Sequence, residues 1–213
     1  MHELDRLQRA IALRSAEARA TVPDIELSAE VDAQACLPLT DGLPCAITAL
    51  IVRASALALA QLPRVNGAYR DGHLELYSRV NVGVIVAAEE AYVIPTVFDA
   101  DRKSLSELAE EISRLAQRGR AGELLAPELA GATFTVSNLG HLGIASSTPL
   151  VVPPQAAAVS VGAIRETPVI RNGAIVPGHT MTLKLACDHR ILYGAQAATF
   201  LARIKSLLEE GAL

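Results

Sequence analysis

The chain has 213 residues, of which 51% are hydrophobic and 3% aromatic, and its formal net charge is -4 at pH 7. This length can bury a sizeable core, and one domain is favoured over two. An acidic chain without tryptophan has neither the basic patch nor the stacking surfaces of a nucleic-acid binder.

Targeting signals and metal motifs are not evident in the sequence. The first 14 residues mix acidic and basic side chains, which is unlike a signal peptide. The longest apolar stretch, from Ala46 to Leu62, is interrupted by Arg53 and Gln61 and better suits a buried helix than a membrane span. The cysteines are an odd set without metal-ligand spacing: Cys36, Cys45 and Cys187. We therefore expect a cytoplasmic protein with reduced thiols, no metal and no membrane partner.

The first predicted elements are a helix, a strand and a second helix. Apolar residues from Leu4 to Leu13, interleaved with arginine and glutamate, predict an amphipathic helix that ends near Pro23. Apolar side chains alternate with acidic or small polar ones in residues 24–32, which predicts a strand with one solvent-exposed face. After a loop, an apolar helix is predicted to begin near Cys45 and to stop at Pro63.

Four short segments then read as strands: 66–70, 73–77, 80–88 and 92–98. The first two flank Asp71-Gly72, a strong hairpin signal. The last two are the most hydrophobic segments, joined by Glu89 and Glu90, and are expected in the middle of a sheet. Pro95 argues that its part of the strand lies at a bulge or an edge.

The second half alternates helices and strands irregularly. Ser104 and Glu107 form a capping box at the start of a helix that runs to Arg118. Further strands are predicted at 133–137, 156–164, 169–170 and 180–188, with a turn at 172–173 and an amphipathic helix after residue 194. Because several strands are joined by tight hairpins, the predicted fold is α/β, with a mixed β-sheet flanked by helices.

Three ionisable residues, Asp188, His189 and Arg190, end the last predicted strand. Loops at such places carry catalytic groups on a rigid support. The simpler alternative is that these residues cap and solvate a strand end. Cys187 lies close enough in sequence to His189 to form a catalytic Cys-His dyad with it. The favoured interpretation is that Cys187 is a small apolar residue that fills space in the core.

The loop after Ser137 reads S-N-L-G-H-L-G. It is neither a dinucleotide fingerprint nor a P-loop, because the required lysine and glycine spacing is missing. The histidines stand singly, at positions 2, 73, 141, 179 and 189, so a metal site is not predicted.

Ser137 and His189 together belong to a wider pattern. The relevant segments are L-P-R-V-N-G-A-Y, V-N-V-G-V-I-V-A, F-T-V-S-N-L-G-H-L-G-I, V-V-P-P-Q-A-A-A-V-S-V-G-A-I and L-A-C-D-H-R-I-L-Y-G-A. Through these collinear pieces the chain resembles the catalytic domain of the dihydrolipoyl acyltransferases of 2-oxo-acid dehydrogenase complexes. It resembles chloramphenicol acetyltransferase more distantly. The 52 residues from Ser137 to His189 also resemble that family's spacing between its active-site serine and histidine.

This resemblance implies a chloramphenicol acetyltransferase-like homotrimer with active sites at its subunit interfaces and coenzyme A, as acetyl-CoA, for a co-substrate. His189 would take the proton of the attacking thiol or hydroxyl. Ser137 would donate a hydrogen bond to the oxyanion of the tetrahedral intermediate. No covalent enzyme intermediate is implied.

Two departures from the family pattern affect the functional prediction. Tyr193 occupies the position of the motif aspartate. It therefore either rearranges the part of the site that binds the acceptor or indicates that the protein has lost its catalytic activity. The chain also reads as a single catalytic domain over residues 1–213, without a lipoyl or subunit-binding domain. From the second departure we predict transfer to a hydroxyl of a small molecule, as in tetronate-type natural-product biosynthesis. The alternatives are a dihydrolipoamide acyltransferase core, an N-acyltransferase and an inactive scaffold or ligand-binding trimer.

Overall fold

A computed structural model describes residues 3–89 and 91–213. Within them lie four α-helices: α1 (Arg6–Thr21), α2 (Ala46–Gln61), α3 (Leu105–Arg120) and α4 (Gly194–Glu210). The first six strands are β1 (Asp24–Asp32), β2 (Gly67–Arg70), β3 (His73–Leu76), β4 (Val82–Val84), β5 (Val86–Ala87) and β6 (Tyr92–Val93). The other strands are β7 (Thr96–Val97), β8 (Phe134–Asn138), β9 (Ala157–Val161), β10 (Arg165–Arg171) and β11 (Ala174–Asp188).

The main sheet is mixed. Its strand order is β1-β11-β9-β8-β4-β7, and β10 pairs with the outer part of β11. β8 runs parallel to both of its neighbours, β4 and β9, whereas the other pairs are antiparallel. The predicted α/β fold with a mixed sheet flanked by helices is confirmed.

Helices α2, α3 and α4 cover one face of this sheet. Phe134 of β8 meets Phe200 of α4 edge to face, with ring centroids 5.6 Å apart. Val136 and Leu185 are also fully buried in the core on this side. Because neighbouring residues of a strand point to opposite faces, Ser137 and Lys184 lie on the face away from the helices.

That second face is partly covered by the chain between β8 and β9. The Ser160 hydroxyl donates to the carbonyl oxygen of Ser147. Lys184 Nζ lies 3.4 Å from Thr148 Oγ1, and Thr148 donates in turn to Glu26 Oε2 at 2.9 Å. A row of polar side chains therefore crosses the sheet beneath this segment.

Local sequence signals account for several boundaries. The predicted capping box is present at the start of α3, where Ser104 and Glu107 exchange hydrogen bonds. The Ser104 backbone N–H lowers the pKa of Glu107 by donating to its carboxylate. β1 occupies the predicted residues 24–32.

The two most hydrophobic segments differ from their prediction as long central strands. Residues 80–88 hold β4 and β5, and residues 92–98 hold β6 and β7. Only β4 lies inside the main sheet, because β7 is an edge strand and β5 pairs with β6 in a separate two-stranded sheet. Pro95 lies between β6 and β7, where its missing N–H does no harm. Glu90 in the connection, like His2, lies outside the described residues.

The final strand is longer than predicted, with 15 residues. Its first part, from Ala174, pairs with β10 across the turn Asn172-Gly173, where both residues have positive φ. In the described part of the chain, no helix has the length and apolar character needed to cross a membrane.

Candidate active site

Ser137 lies near the end of β8, deep in the second face of the sheet. Its side chain is buried, with 8% of the residue exposed. Within the described residues its hydroxyl has no hydrogen-bond partner. The hydroxyl is therefore free to donate to a group that enters from outside the chain.

The loop after Ser137 is held by hydrogen bonds of the Asn138 side chain and by a close backbone approach at Gly162. Asn138 accepts from the Gly140 N–H at 2.8 Å and donates to Thr48 Oγ1 of α2 at 3.0 Å. A Cβ at Gly162 would lie 1.8 Å from the carbonyl oxygen of Ala145. The glycine therefore allows the returning loop to cross directly over the end of β9.

A cavity of about 610 Å³ opens beside this loop. It lies on the helix side, between the start of α2, the end of α3 and the residues that follow β8. Its wall is mainly aliphatic, with Tyr92, Arg120 and His141 as its larger polar side chains. Ser137 itself is not part of this wall, whereas the next residue, Asn138, is.

His189 lies at the opposite end of the sheet, in the turn after β11. Its backbone N–H donates to the carbonyl oxygen of Pro23 at 2.9 Å, and its side chain is exposed. Arg64 Nε donates to the carbonyl oxygen of Ile191 at 3.1 Å, and this bond anchors the end of the turn that follows His189. An exposed imidazole thus stands on a turn that is fixed from two sides.

The neighbours of His189 form an ion pair across it. The Asp188 carboxylate, only 1% exposed, accepts from Arg190 Nε at 2.9 Å and from Arg190 Nη2 at 2.6 Å. The Asp188 carboxylate raises the pKa of Arg190 by accepting these bonds. The guanidinium carbon of Arg190 also lies over the ring of Tyr69, 3.8 Å from the ring centroid. The alternative that these residues merely solvate a strand end therefore does not fit Asp188, which is buried and paired.

Tyr193 stands beside the imidazole. Its ring meets the His189 ring edge to face, with centroids 5.8 Å apart and an interplanar angle of 89°. The residue is 52% exposed and precedes the first turn of α4. Tyr193 therefore contributes to the surroundings of His189 through an aromatic contact.

Within one chain, Ser137 and His189 do not meet. Strand register places Ser137 opposite Ser160, and Ser160 opposite Lys184 of β11. His189 follows Lys184 by five residues. Two strand spacings and five residues of extended chain amount to about 19 Å. A single chain therefore carries the two residues at separate places.

The other reactive groups are not assembled into a site. Burial raises the pKa of Cys187 to about 12, and this thiol lies in the core, as the filler interpretation predicts. Cys36 is also buried and Cys45 is exposed, and none of the three forms a disulfide. Among the described residues, no group of three or more histidine, cysteine or acidic side chains could hold a metal ion.

Sequence reasoning missed Tyr69 and Arg64 as neighbours of the His189 turn. They lie more than 120 positions earlier in the chain than the residues they touch. The only available signal was their place in the segment L-P-R-V-N-G-A-Y, which does not say what the side chains contact.

The fold is that of a class of acyltransferase catalytic domain. The chain belongs to the family of 2-oxoacid dehydrogenases acyltransferase (catalytic domain), which it matches over residues 1–213. The family resemblance seen in the sequence is thereby confirmed.

Two curated relatives illustrate the range of this family. The chain is 38% identical over 171 residues to the dihydrolipoyllysine-residue acetyltransferase component of the acetoin cleaving system of Bacillus subtilis, covering 80% of this chain and 43% of that protein. It is 35% identical over 218 residues to the dihydrolipoyllysine-residue succinyltransferase component of the 2-oxoglutarate dehydrogenase complex of Bartonella vinsonii, covering 97% and 53%. The chain thus spans about half the length of the curated relatives it matches.

Solved structures agree with this assignment. The dihydrolipoamide acetyltransferase of Azotobacter vinelandii matches with a TM-score of 0.93 and 29% identity, covering 99% of this chain and 92% of that one. Its catalytic mechanism has been studied through a serine, a histidine 52 residues later and an asparagine four residues after that. A chloramphenicol acetyltransferase matches with a TM-score of 0.56 and 13% identity, covering 92% and 94%, which supports the predicted fold.

The predicted acceptor, a hydroxyl in natural-product biosynthesis, is wrong. The curated relatives are components that act on a dihydrolipoyllysine residue. The lack of a lipoyl segment within these 213 residues does not bear on the acceptor, because the chain spans only about half the length of those relatives.

Proposed function

We propose that this chain is the catalytic domain of a dihydrolipoyl acyltransferase, which moves an acyl group between coenzyme A and a dihydrolipoyl thiol. Family membership and the close fold match support the proposal. The observation that carries it is the spacing from Ser137 to His189, which equals the spacing of the serine and histidine in the Azotobacter enzyme.

His189 acts as the general base in this proposal. Its imidazole takes the proton of the attacking thiol, and the sulfur forms a bond to the thioester carbonyl carbon. When the tetrahedral intermediate collapses, the original carbon–sulfur bond breaks and the imidazolium returns its proton to the leaving thiolate. An exposed imidazole on a fixed turn is well placed for this, because both thiols must reach it.

Ser137 stabilises the oxyanion of that intermediate. Its buried hydroxyl, unpaired within the described residues, can donate to the developing negative charge. A donor of this kind is worth roughly 3 kcal/mol of transition-state stabilisation. The low exposure of the residue strengthens such a bond, because little water competes for it.

The active site lies between two copies of the chain. Ser137 and His189 stand about 19 Å apart in one chain, by register and strand spacing, which is too far for both to touch one carbonyl group. The family resemblance implies a homotrimer, in which Ser137 of one subunit faces His189 of the next. Coenzyme A is the co-substrate, and the dihydrolipoyl group is the acceptor or donor.

Tyr193 occupies the position of the asparagine in the Azotobacter enzyme. We propose that it orients the His189 ring through its edge-to-face contact rather than through a carboxylate. The chain therefore keeps its activity despite the changed residue.

The experiment is an acyl-transfer assay with purified protein. Acetyl-CoA and succinyl-CoA are each mixed with dihydrolipoamide, a small alcohol or a small amine, and free coenzyme A and acylated product are separated by chromatography. We expect acyl-dihydrolipoamide from one of the two donors and no product from the alcohol or the amine.

Variants make the assay decisive. His189→Ala is expected to lower kcat by about 10²- to 10⁴-fold, and Ser137→Ala by about 10²- to 10³-fold. His73→Ala is the matched control, because His73 lies on the exposed hairpin strand β3. Unchanged transfer in His189→Ala, or no transfer to dihydrolipoamide by the unaltered protein, would overturn the proposal.

A further inference from the structure

We propose that Tyr69 is a positioning residue for His189. Its ring supports Arg190, and Arg190 holds the carboxylate of Asp188, at which the turn with the imidazole begins. This inference rests on the proposed function, because it takes His189 as the base. It adds a residue more than 100 positions away in sequence, which acts on His189 through Arg190 and Asp188.

The first step is the closure of the turn around His189. Asp188 Oδ1 accepts from the backbone N–H of Arg190 at 3.0 Å and from its Nε at 2.9 Å. The second carboxylate oxygen accepts from Nη2 at 2.6 Å. Bidentate pairs of this kind fix direction as well as distance. Because the pair bridges the two neighbours of His189, it restricts the direction in which the imidazole projects.

The second step is the support that Arg190 needs. Its side chain remains 29% exposed, so water competes for the guanidinium. The guanidinium carbon lies over the Tyr69 ring, 3.8 Å from the ring centroid. A cation over an aromatic face is attracted to it, and arginine stacks there well. Tyr69 thus keeps Arg190 in the orientation that the carboxylate requires.

The third step is the common anchor of the two parts. The carbonyl oxygen of Gly67 accepts from the Ala156 N–H at 3.0 Å, which attaches β2 to the segment before β9. The carbonyl oxygen of the same Ala156 accepts from the Asp188 N–H at 2.8 Å. Tyr69 and the turn are therefore fixed to one piece of backbone, and the stacking distance is set by the fold.

The turn also has anchors that do not involve Tyr69. The His189 N–H binds the Pro23 carbonyl, and Arg64 binds the Ile191 carbonyl. Loss of the tyrosine ring leaves both in place. We therefore expect the orientation of the imidazole to change while the fold persists.

The test compares Tyr69→Leu with Tyr69→Phe in the transfer assay with dihydrolipoamide. Tyr69→Leu should lower kcat about tenfold or more, with both KM values within about twofold, because small misplacement of a catalytic group acts on the chemical step. Tyr69→Phe should keep the unaltered kcat, because the ring face and not the hydroxyl meets Arg190. Tyr77→Leu is the control, since it removes a tyrosine ring that lines a cavity with Arg79 and Asn81 rather than one that meets Arg190.

A double-mutant cycle with Arg190→Gln removes the cation instead of the ring, and Tyr69→Met takes the place of Tyr69→Leu in it if the leucine variant folds poorly. If Tyr69 acts through Arg190, then Tyr69→Phe and Tyr69→Leu should differ in the unaltered background and be alike once glutamine is present. An unchanged kcat in Tyr69→Leu, an equal loss in Tyr69→Phe, or the same difference in both backgrounds would overturn the inference. The proposed function is tested separately by the unaltered protein and His189→Ala.

Discussion

Ser137 of β8 and His189, in the turn after β11, lie at opposite ends of the sheet, and β9 separates these two strands. The register fixes this separation, because β11 runs antiparallel to β9 and β8 runs parallel to it. A reaction that uses both residues must therefore bring two chains together. This relationship leads directly to the first prediction.

Mixed trimers should restore activity between two inactive variants. Ser137→Ala and His189→Ala are each expected to be nearly inactive alone. Co-expressed in equal amounts, they should form sites with an intact serine from one chain and an intact histidine from another. Random mixing gives about one such site in four, so about a quarter of the unaltered activity should return. Differently tagged chains allow the mixed assemblies to be purified and assayed.

No recovery in verified mixed trimers would contradict the interface site. Mixing His189→Ala chains with tagged His189→Ala chains is the control, since no combination of these restores a histidine. Sedimentation of the unaltered protein should give the mass of three chains.

Tyr193 should act through its ring. Edge-to-face aromatic pairs contribute about 0.5–1.5 kcal/mol, so Tyr193→Ala should lower kcat by roughly 2- to 12-fold if that contact orients the base. Tyr193→Phe keeps the ring that meets His189 and should stay within about twofold of the unaltered rate. Steady-state kinetics with dihydrolipoamide measure both. An equal loss in Tyr193→Phe would instead assign the effect to the phenol hydroxyl.

Gly162 should tolerate no side chain. A Cβ there would lie 1.8 Å from the Ala145 carbonyl oxygen, so Gly162→Ala forces the loop after Ser137 away from β9. We expect the free energy of unfolding to fall by about 1–3 kcal/mol, as in overpacked cores, together with a loss of activity. Denaturant unfolding measures the change. Gly194→Ala is the control for stability, since nothing lies within 4 Å of the corresponding Cβ.

The cysteines should differ in their reaction with alkylating reagents. Because burial raises the pKa of Cys187 to about 12, only about one molecule in ten thousand carries its thiolate at pH 8. Burial also raises the pKa of Cys36, whereas Cys45 is exposed. Mass spectrometry of the folded protein should therefore find alkylation at Cys45 alone. In denaturant all three should react, and rapid native labelling of Cys187 would argue against its place in the core.

Local chemistry in the sequence determined much of the secondary structure. The alternation in 24–32, the capping box at Ser104 and the turn at Asn172-Gly173 all formed where predicted. Each depends on residues a few positions apart, so each can be judged without the rest of the chain. The identities of Ser137 and His189 as candidates were likewise visible in the sequence, because their motifs are short.

The tertiary structure alone decided how far apart those candidates lie and what surrounds them. Strand order and register are set by which faces can be buried together, and the sequence does not state that choice in any one segment. Tyr69 and Arg190 meet only because β2 and the turn after β11 attach to the same backbone at Ala156. The sequence thus determined which groups carry the proposed chemistry, whereas long-range packing decided that one chain holds them apart.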